Sequence, residues 1–217
     1  MSLDINNYKK TKSVALGSQW SVGDKKWFKW LETFIQDIKQ YGEDNYMSST
    51  SPKRFKALLT QSGTTTPTTQ TSGLLVVGTT YEITDYNAND NFMNVGAPSN
   101  ELGVKFIATG TTPAVWSKSS ELTYDTATPK AVVLENTIGN VWFEFSANGI
   151  YTINSNNLFT ANKTFKLINS GLLLDEGLIS FTNAGTTSLM NIVSYDSSVN
   201  PANDLLLNTP ILVEVYP

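Results

Sequence analysis

The sequence predicts a mainly β protein, built of antiparallel β-sandwich or jelly-roll-like modules and preceded by one N-terminal amphipathic α-helix. Three observations carry that expectation. From Phe55 onward, short apolar runs recur between clusters of Gly, Pro, Asn, Asp and Ser, without helical periodicity. Charged residues make up only 16% of the chain, and Thr, Ser and Asn take their place, which suits sheet surfaces that are polar but not ionic. Asn148-Gly149 stands between two β-rich arms, VWFEFSA and IYTIN, where a type I′ hairpin turn would fit.

Residues 1–20 are polar and weakly patterned, and read as an extended arm that orders in an assembly. WFKWLETFIQDIKQY (27–41) is the strongly helical stretch. Trp27, Leu31, Phe34, Ile38 and Tyr41 follow a heptad-like spacing, and Phe28, Trp30 and Ile35 widen the stripe. Asp24 suits an N-cap and Gly42 a C-terminal stop. About four turns of helix are too short to stand alone in water, so the aromatic face must bury against something. It packs either on its own β domain or on another molecule. A polar tract separates it from much of the β sequence, which favours docking or oligomerisation.

Phe55–Thr60 reads as a first strand, and QSGTTTPTTQTSG (61–73) as a linker or long loop. LLVVG (74–78) is a short apolar run. TYEITDY alternates, with Tyr81, Ile83 and Asp85 on one face, and NANDN follows as a turn. VKFIATG sets Val104, Phe106 and Ala108 on one side, and a short strand is expected near Ala114–Ser117. AVVLENT, the two hairpin arms, FKLIN, LISFTN, LMNIVSY and ILVEVYP complete the strands. Such spacing without intervening helices argues an antiparallel sandwich or barrel.

Composition excludes several chemistries. The chain has no Cys and no His, which removes disulfides, thiolate sites and the usual general base near neutral pH. No apolar run reaches ~18 residues, so no transmembrane helix is expected. MSLDINNYKKTKS lacks an apolar signal core, so use without conventional secretion is expected. Residues 1–60 hold 10 Lys/Arg against 6 Asp/Glu, and residues 61–217 hold 5 against 13. Lys53-Arg54-Phe55-Lys56 is the strongest basic cluster, but the acidic bulk and the single Arg oppose a nucleic-acid partner.

Asp85, Asn87, Asn89 and Asp90 have a calcium-loop look, but Asp90 stands where Gly is needed and Gly96 where Glu is needed. They read as an Asx-rich turn. Asp175-Glu176 and the pair Glu135/Glu144 are the carboxylates that acid–base work could use, and nothing pairs them in sequence. Trp116, Trp142, Tyr151, Tyr195 and Tyr216 lie in or beside strands. They read as core packing, with a sugar-stacking surface as the alternative. No catalytic, cofactor or metal residues are assigned.

Two stretches resemble modules of tailed-bacteriophage structural proteins. GTTYEITDYNANDNFMNVGAPSNELGVKFIATGTTPAVW (78–116) is similar to one, through Tyr81, Ile83, Phe92, Asn94, Val95, Gly96, Ala97, Gly103, Val104, Phe106, Ala108, Thr109, Gly110, Pro113 and Trp116. FKALLTQSG (55–63), AVVLENTIG (131–139), NGIYTI (148–153), LFTANKTF (158–165) and NTPILVEVYP (208–217) resemble another, seen in head-fibre and tail-fibre proteins, including those of crAss-like and other Bacteroidota phages. In that module the LLTQSG strand leads almost directly into the VLENT strand, and here residues 64–130 intervene.

The helix at 27–41 matches neither module, and residues 1–52 stay an arm and attachment helix on their own pattern; the resemblance implies a β module (53–73 plus 128–217) with a second β module inserted in it (74–127). It implies a virion structural protein, assembled in the bacterial cytoplasm, that projects β domains as a head fibre or capsid decoration. Its expected partners are other virion proteins and copies of itself, as a trimer joined at the helix stripe because fibres of this class are commonly homotrimers, with no membrane partner. The alternatives are a tail-fibre or adaptor protein binding host surface glycan, and a glycan depolymerase.

Overall fold

The computed structural model describes residues 51–168, 178–182 and 187–217, together with Thr33. The stripe Trp27, Phe28, Trp30, Leu31, Phe34, Ile35, Ile38 and Tyr41 lies outside the described residues, as do Asp175 and Glu176.

The described chain is mainly β. Twelve strands run as β1 (Lys53–Thr60), β2 (Pro67–Gln70), β3 (Thr80–Asp85), β4 (Lys105–Ile107), β5 (Glu121–Asp125), β6 (Lys130–Asn136), β7 (Val141–Ala147), β8 (Ile150–Ser155), β9 (Thr164–Ile168), β10 (Leu178–Thr182), β11 (Leu189–Tyr195) and β12 (Thr209–Val215). They form three four-stranded antiparallel sheets, in the orders β6-β1-β12-β9, β10-β11-β8-β7 and β2-β5-β3-β4.

The first two sheets make a sandwich, because strict alternation gives each an apolar inner face. On β1, Phe55, Ala57 and Leu59 are buried while Arg54, Lys56 and Leu58 point outward. β12 matches it in register, with Val213 opposite Phe55 and Ile211 opposite Ala57. From the facing sheet, Phe143, Tyr151, Ile153, Met190 and Ile192 join the same core. The Phe55 and Phe143 rings meet at 6.1 Å across the layer. Each such side chain, fully buried, contributes about 1.5–3 kcal/mol.

The β7–β8 hairpin forms where Asn148-Gly149 predicts it, but not as a type I′ turn. Of the pair, Gly149 alone takes positive φ (66°), and the register slips between Phe145 and Ala147 as a bulge. A Cβ on Gly149 would also sit 2.2 Å from the Ala202 nitrogen. The glycine is therefore required twice, by its dihedral and by the chain packed against it.

The third sheet has its own core of Leu75, Tyr81, Ile83, Phe92, Val95, Phe106 and Leu122. Three expectations change here. LLVVG is a loop in which Leu75 is buried and Leu74, Val76 and Val77 are exposed. Ala114–Ser117 contributes one isolated bridge, Asn91 to Val115, in place of a strand. The polar tract 61–73 holds an edge strand, β2, whose Thr-rich residues pair along β5. Gly96, at φ 115°, lets the chain pass the Ile107 carbonyl, which a Cβ would meet at 2.4 Å.

Candidate functional site

A cavity lined by charged and polar side chains lies where the third sheet meets β7. Glu82 on β3 and Lys105 on β4 are register partners, so their side chains share a face. The Lys105 Nζ lies 3.5 Å from Glu82 Oε2 and 2.6 Å from Glu144 Oε1 on β7. Trp142 Nε1 donates to the same Glu144 oxygen at 3.2 Å. Around this trio, Thr123, Tyr124 and Phe145 help enclose a cavity of about 300 Å³.

Burial pulls the Lys105 pKa down and is the largest single influence. The hydrogen bonds and charges of Glu144 and Glu82 together outweigh it, and the net shift is upward. An ammonium held in that way stays protonated near neutral pH and is neither a base nor a Schiff-base nucleophile. The arrangement is a clamp. It joins β4 to β7 beside two other ties, Phe143 N–H donating to Thr80 Oγ1 at 3.2 Å and Asn140 Nδ2 donating to the Lys105 carbonyl at 2.9 Å.

The Asx-rich turn has a different occupation from a metal loop. Asp90 is buried, and its carboxylate accepts backbone N–H groups from Ser117 (2.7 Å), Lys118 (2.9 Å) and Ser120 (3.0 Å). Asn87 N–H in turn donates to Ser120 Oγ at 2.8 Å, and Asn89 adopts φ 85° to make the turn. Burial opposes the Asp90 charge most strongly, yet the bonds from Ser120, Lys118 and Ser117 more than offset it and hold the carboxyl below its usual value. Asp90 latches two loops together.

Glu135 and Glu144 are not brought together. Glu135 sits on the β6-β1-β12-β9 sheet, 2.5 Å from Lys56, while Glu144 belongs to the Lys105 clamp. The basic cluster is largely neutralised: Lys56 is taken by Glu135, and Arg54 Nε donates to Glu214 at 2.7 Å. Phe55 is in the core.

The five strand aromatics form no common platform. Tyr151 is fully buried, and its hydroxyl proton is shared between Gln61 Oε1 (2.9 Å) and Asn203 Oδ1 (3.0 Å). Burial pushes its pKa up to about 12. Trp116 packs edge-on against Phe92 at 5.3 Å and donates from Nε1 to the Ser120 carbonyl. Trp142 and Tyr195 are half-buried, and Tyr216 is exposed with its hydroxyl on Glu214.

Sequence reading missed Glu82 and Lys105. Their outward positions in alternating strands were visible, but their partnership depends on cross-strand register and on β7 arriving from a third segment. Comparison with protein-family models, with curated proteins and with solved structures finds no match to this chain.

Proposed function

We propose that the chain is a structural protein of a tailed-bacteriophage virion. It is anchored through its N-terminal segment and projects its β modules as a head fibre or capsid decoration. One observation supports this reading above the others. FKALLTQSG, AVVLENTIG and NTPILVEVYP, which carry the resemblance from distant parts of the sequence, are side-by-side neighbours in one sheet, β6-β1-β12. Three of the five segments that resemble one module thus lie side by side in one sheet here, while NGIYTI supplies β8 of the facing sheet. The residues between the first two segments supply a sheet of their own and a separate core. Glu82, Glu135, Glu144 and Glu214 are held in ion pairs and Asp90 by backbone N–H groups, which is how a scaffold uses its carboxylates.

Gold-conjugated antibody against residues 51–217, applied to intact particles of the phage that encodes this chain, tests the reading. Label over the capsid is the expected result. Label confined to the tail would move the protein to a tail-fibre or adaptor role. Particles without label, although the purified antigen is recognised, would overturn the exposed-fibre reading. Deleting residues 1–50 should release the protein from the particle while leaving its β fold intact.

A further inference from the structure

We infer that the outer face of the β6-β1-β12-β9 sheet is a self-association surface, covered by the same face of a second copy of this chain. The inference stands apart from the virion reading. Val132 and Leu134 on β6 are 59% and 61% exposed, and Phe165 and Leu167 on β9 are 49% and 54% exposed. Register fills the space between them. Val132 lies opposite Leu58, Leu58 opposite Pro210, and Leu212 opposite Leu167. An apolar band therefore crosses all four strands. The four outermost side chains alone expose on the order of 400 Å², within the range of the largest patch a typical monomer carries.

The other outer face of the sandwich is the internal control. It carries Glu144, Thr152, Asn154 and Asn191 beside a half-buried Trp142 and Leu189. Strands β7, β8 and β11 hold no exposed large apolar side chain, and on the edge strand β10 Leu178 alone is exposed, against four such side chains on the first sheet. One face is thus dressed for water, as sheets with a solvated side are. The other is not.

Charge selects the occupant. Most ions on the apolar face are paired within it, Arg54 with Glu214 and Lys56 with Glu135, and exposed Lys130 at the start of β6 leaves a single positive charge at its corner. It makes no demand for a strongly acidic or basic partner. Residues 61–217 hold 13 Asp/Glu against 5 Lys/Arg, so two copies repel each other elsewhere and meet at least electrostatic cost here. A two-fold axis can set the apolar side chains of one such face against those of the other while the paired ions of β1 and β12 stay matched within each copy, which is the requirement of an isologous contact.

The area is sufficient. Four strands about 4.8 Å apart and seven residues of about 3.3 Å rise give a flat face of roughly 450 Å² per copy. Side-chain relief brings the pair to about the 1,000 Å² that a specific interface needs.

Full-length chain examined by light scattering across 1–100 µM tests the inference, beside the double variant Leu134→Glu/Leu167→Glu. Both positions are exposed, so the fold tolerates the change, and circular dichroism checks this. The expected result is association in the wild type that the double variant weakens 100-fold or more. Leu178→Glu, at an exposed position of the other sheet, should leave association unchanged. Because the chain has no Cys, Leu134→Cys offers a single thiol, and its maleimide labelling should slow tenfold as association proceeds. A wild type that is monomeric at 100 µM, or a double variant that associates as the wild type does, would overturn the inference. So would a Leu134→Cys protein that is protected while still monomeric, since the face would then be covered from within the chain.

Discussion

Replacing Asp90 with Ala removes the acceptor for three backbone N–H groups at once, those of Ser117, Lys118 and Ser120. Hydrogen bonds to an ionised group contribute about 1.5–3 kcal/mol each, but water entering the loop recovers part of that, so a net loss of about 3 kcal/mol is expected. In a chain of this size that lowers the melting temperature by about 6–12 °C. The pH dependence has a definite sign. The folded pKa of Asp90 lies below the ordinary 3.8, so on acidification the unfolded chain takes up the proton first. The contribution is complete above about pH 4 and is lost as pH falls through the folded value. Asp90→Asn keeps the shape and should flatten that part of the acid limb. Urea unfolding at pH 7 and pH 3 measures both effects, and amide exchange at the three donors localises them. Stability of Asp90→Ala within about 0.5 kcal/mol of wild type at pH 7, the ordinary range of a surface substitution, would refute the latch, as would unchanged exchange at Ser117, Lys118 and Ser120.

Tyr151→Phe should cost about 1–2 kcal/mol by denaturant unfolding, because Gln61 and Asn203 lose a buried donor. The phenol ionises at about 12 when folded and at 10 when unfolded, so its stabilising share is whole below pH 10 and fades between pH 10 and 12. The ultraviolet absorbance of phenolate should therefore show one tyrosine titrating late. Gly149→Ala places a methyl 2.2 Å from the Ala202 nitrogen and should cost about 2–4 kcal/mol, whereas Gly63→Ala, with open space around it, should cost only the positive-φ penalty of about 1–2 kcal/mol. Lys105→Met should cost no more than about 1 kcal/mol, since the pair is partly exposed, and should raise amide exchange at Phe143.

The fold was most legible where alternation and burial coincide. Phe55, Ala57 and Leu59, or Tyr81 and Ile83, could be assigned to a core from spacing alone. β2 was illegible because PTTQ has no hydrophobic signal; it is a strand because β5 supplies its partners. β5 was overlooked because ELTYD buries only Leu122 fully and looks like a turn-flanked loop. LLVVG failed in the opposite way. Its composition is that of a strand, but Gly78 turns the chain so that its amide meets the Ala108 carbonyl and its own carbonyl accepts from Ala131. The Asx-rich turn was recognisable from 87–90, yet the latch was not, because its donors arrive from residues 117–120. Polar sites here are assembled across sequence distances that no local pattern encodes.

The way the strand edges are closed bears on how copies of the chain can meet. A sheet edge with free N–H and C=O groups recruits another strand and tends toward open-ended growth. On β7 that edge is occupied, since Phe143 N–H is bound to Thr80 and Lys105 reaches across to Glu144. β6 is met at its start by Gly78, whose carbonyl takes the Ala131 N–H, and a bulge follows opposite Lys56 and Ala57. β2 begins at Pro67, which has no N–H to offer a new strand, and is only four residues long. Beside those blunted edges, the β6-β1-β12-β9 face is a large apolar feature of the described residues. Faces differ from edges in consequence: a face can be covered once and is then spent, so it yields a closed pair instead of a growing stack.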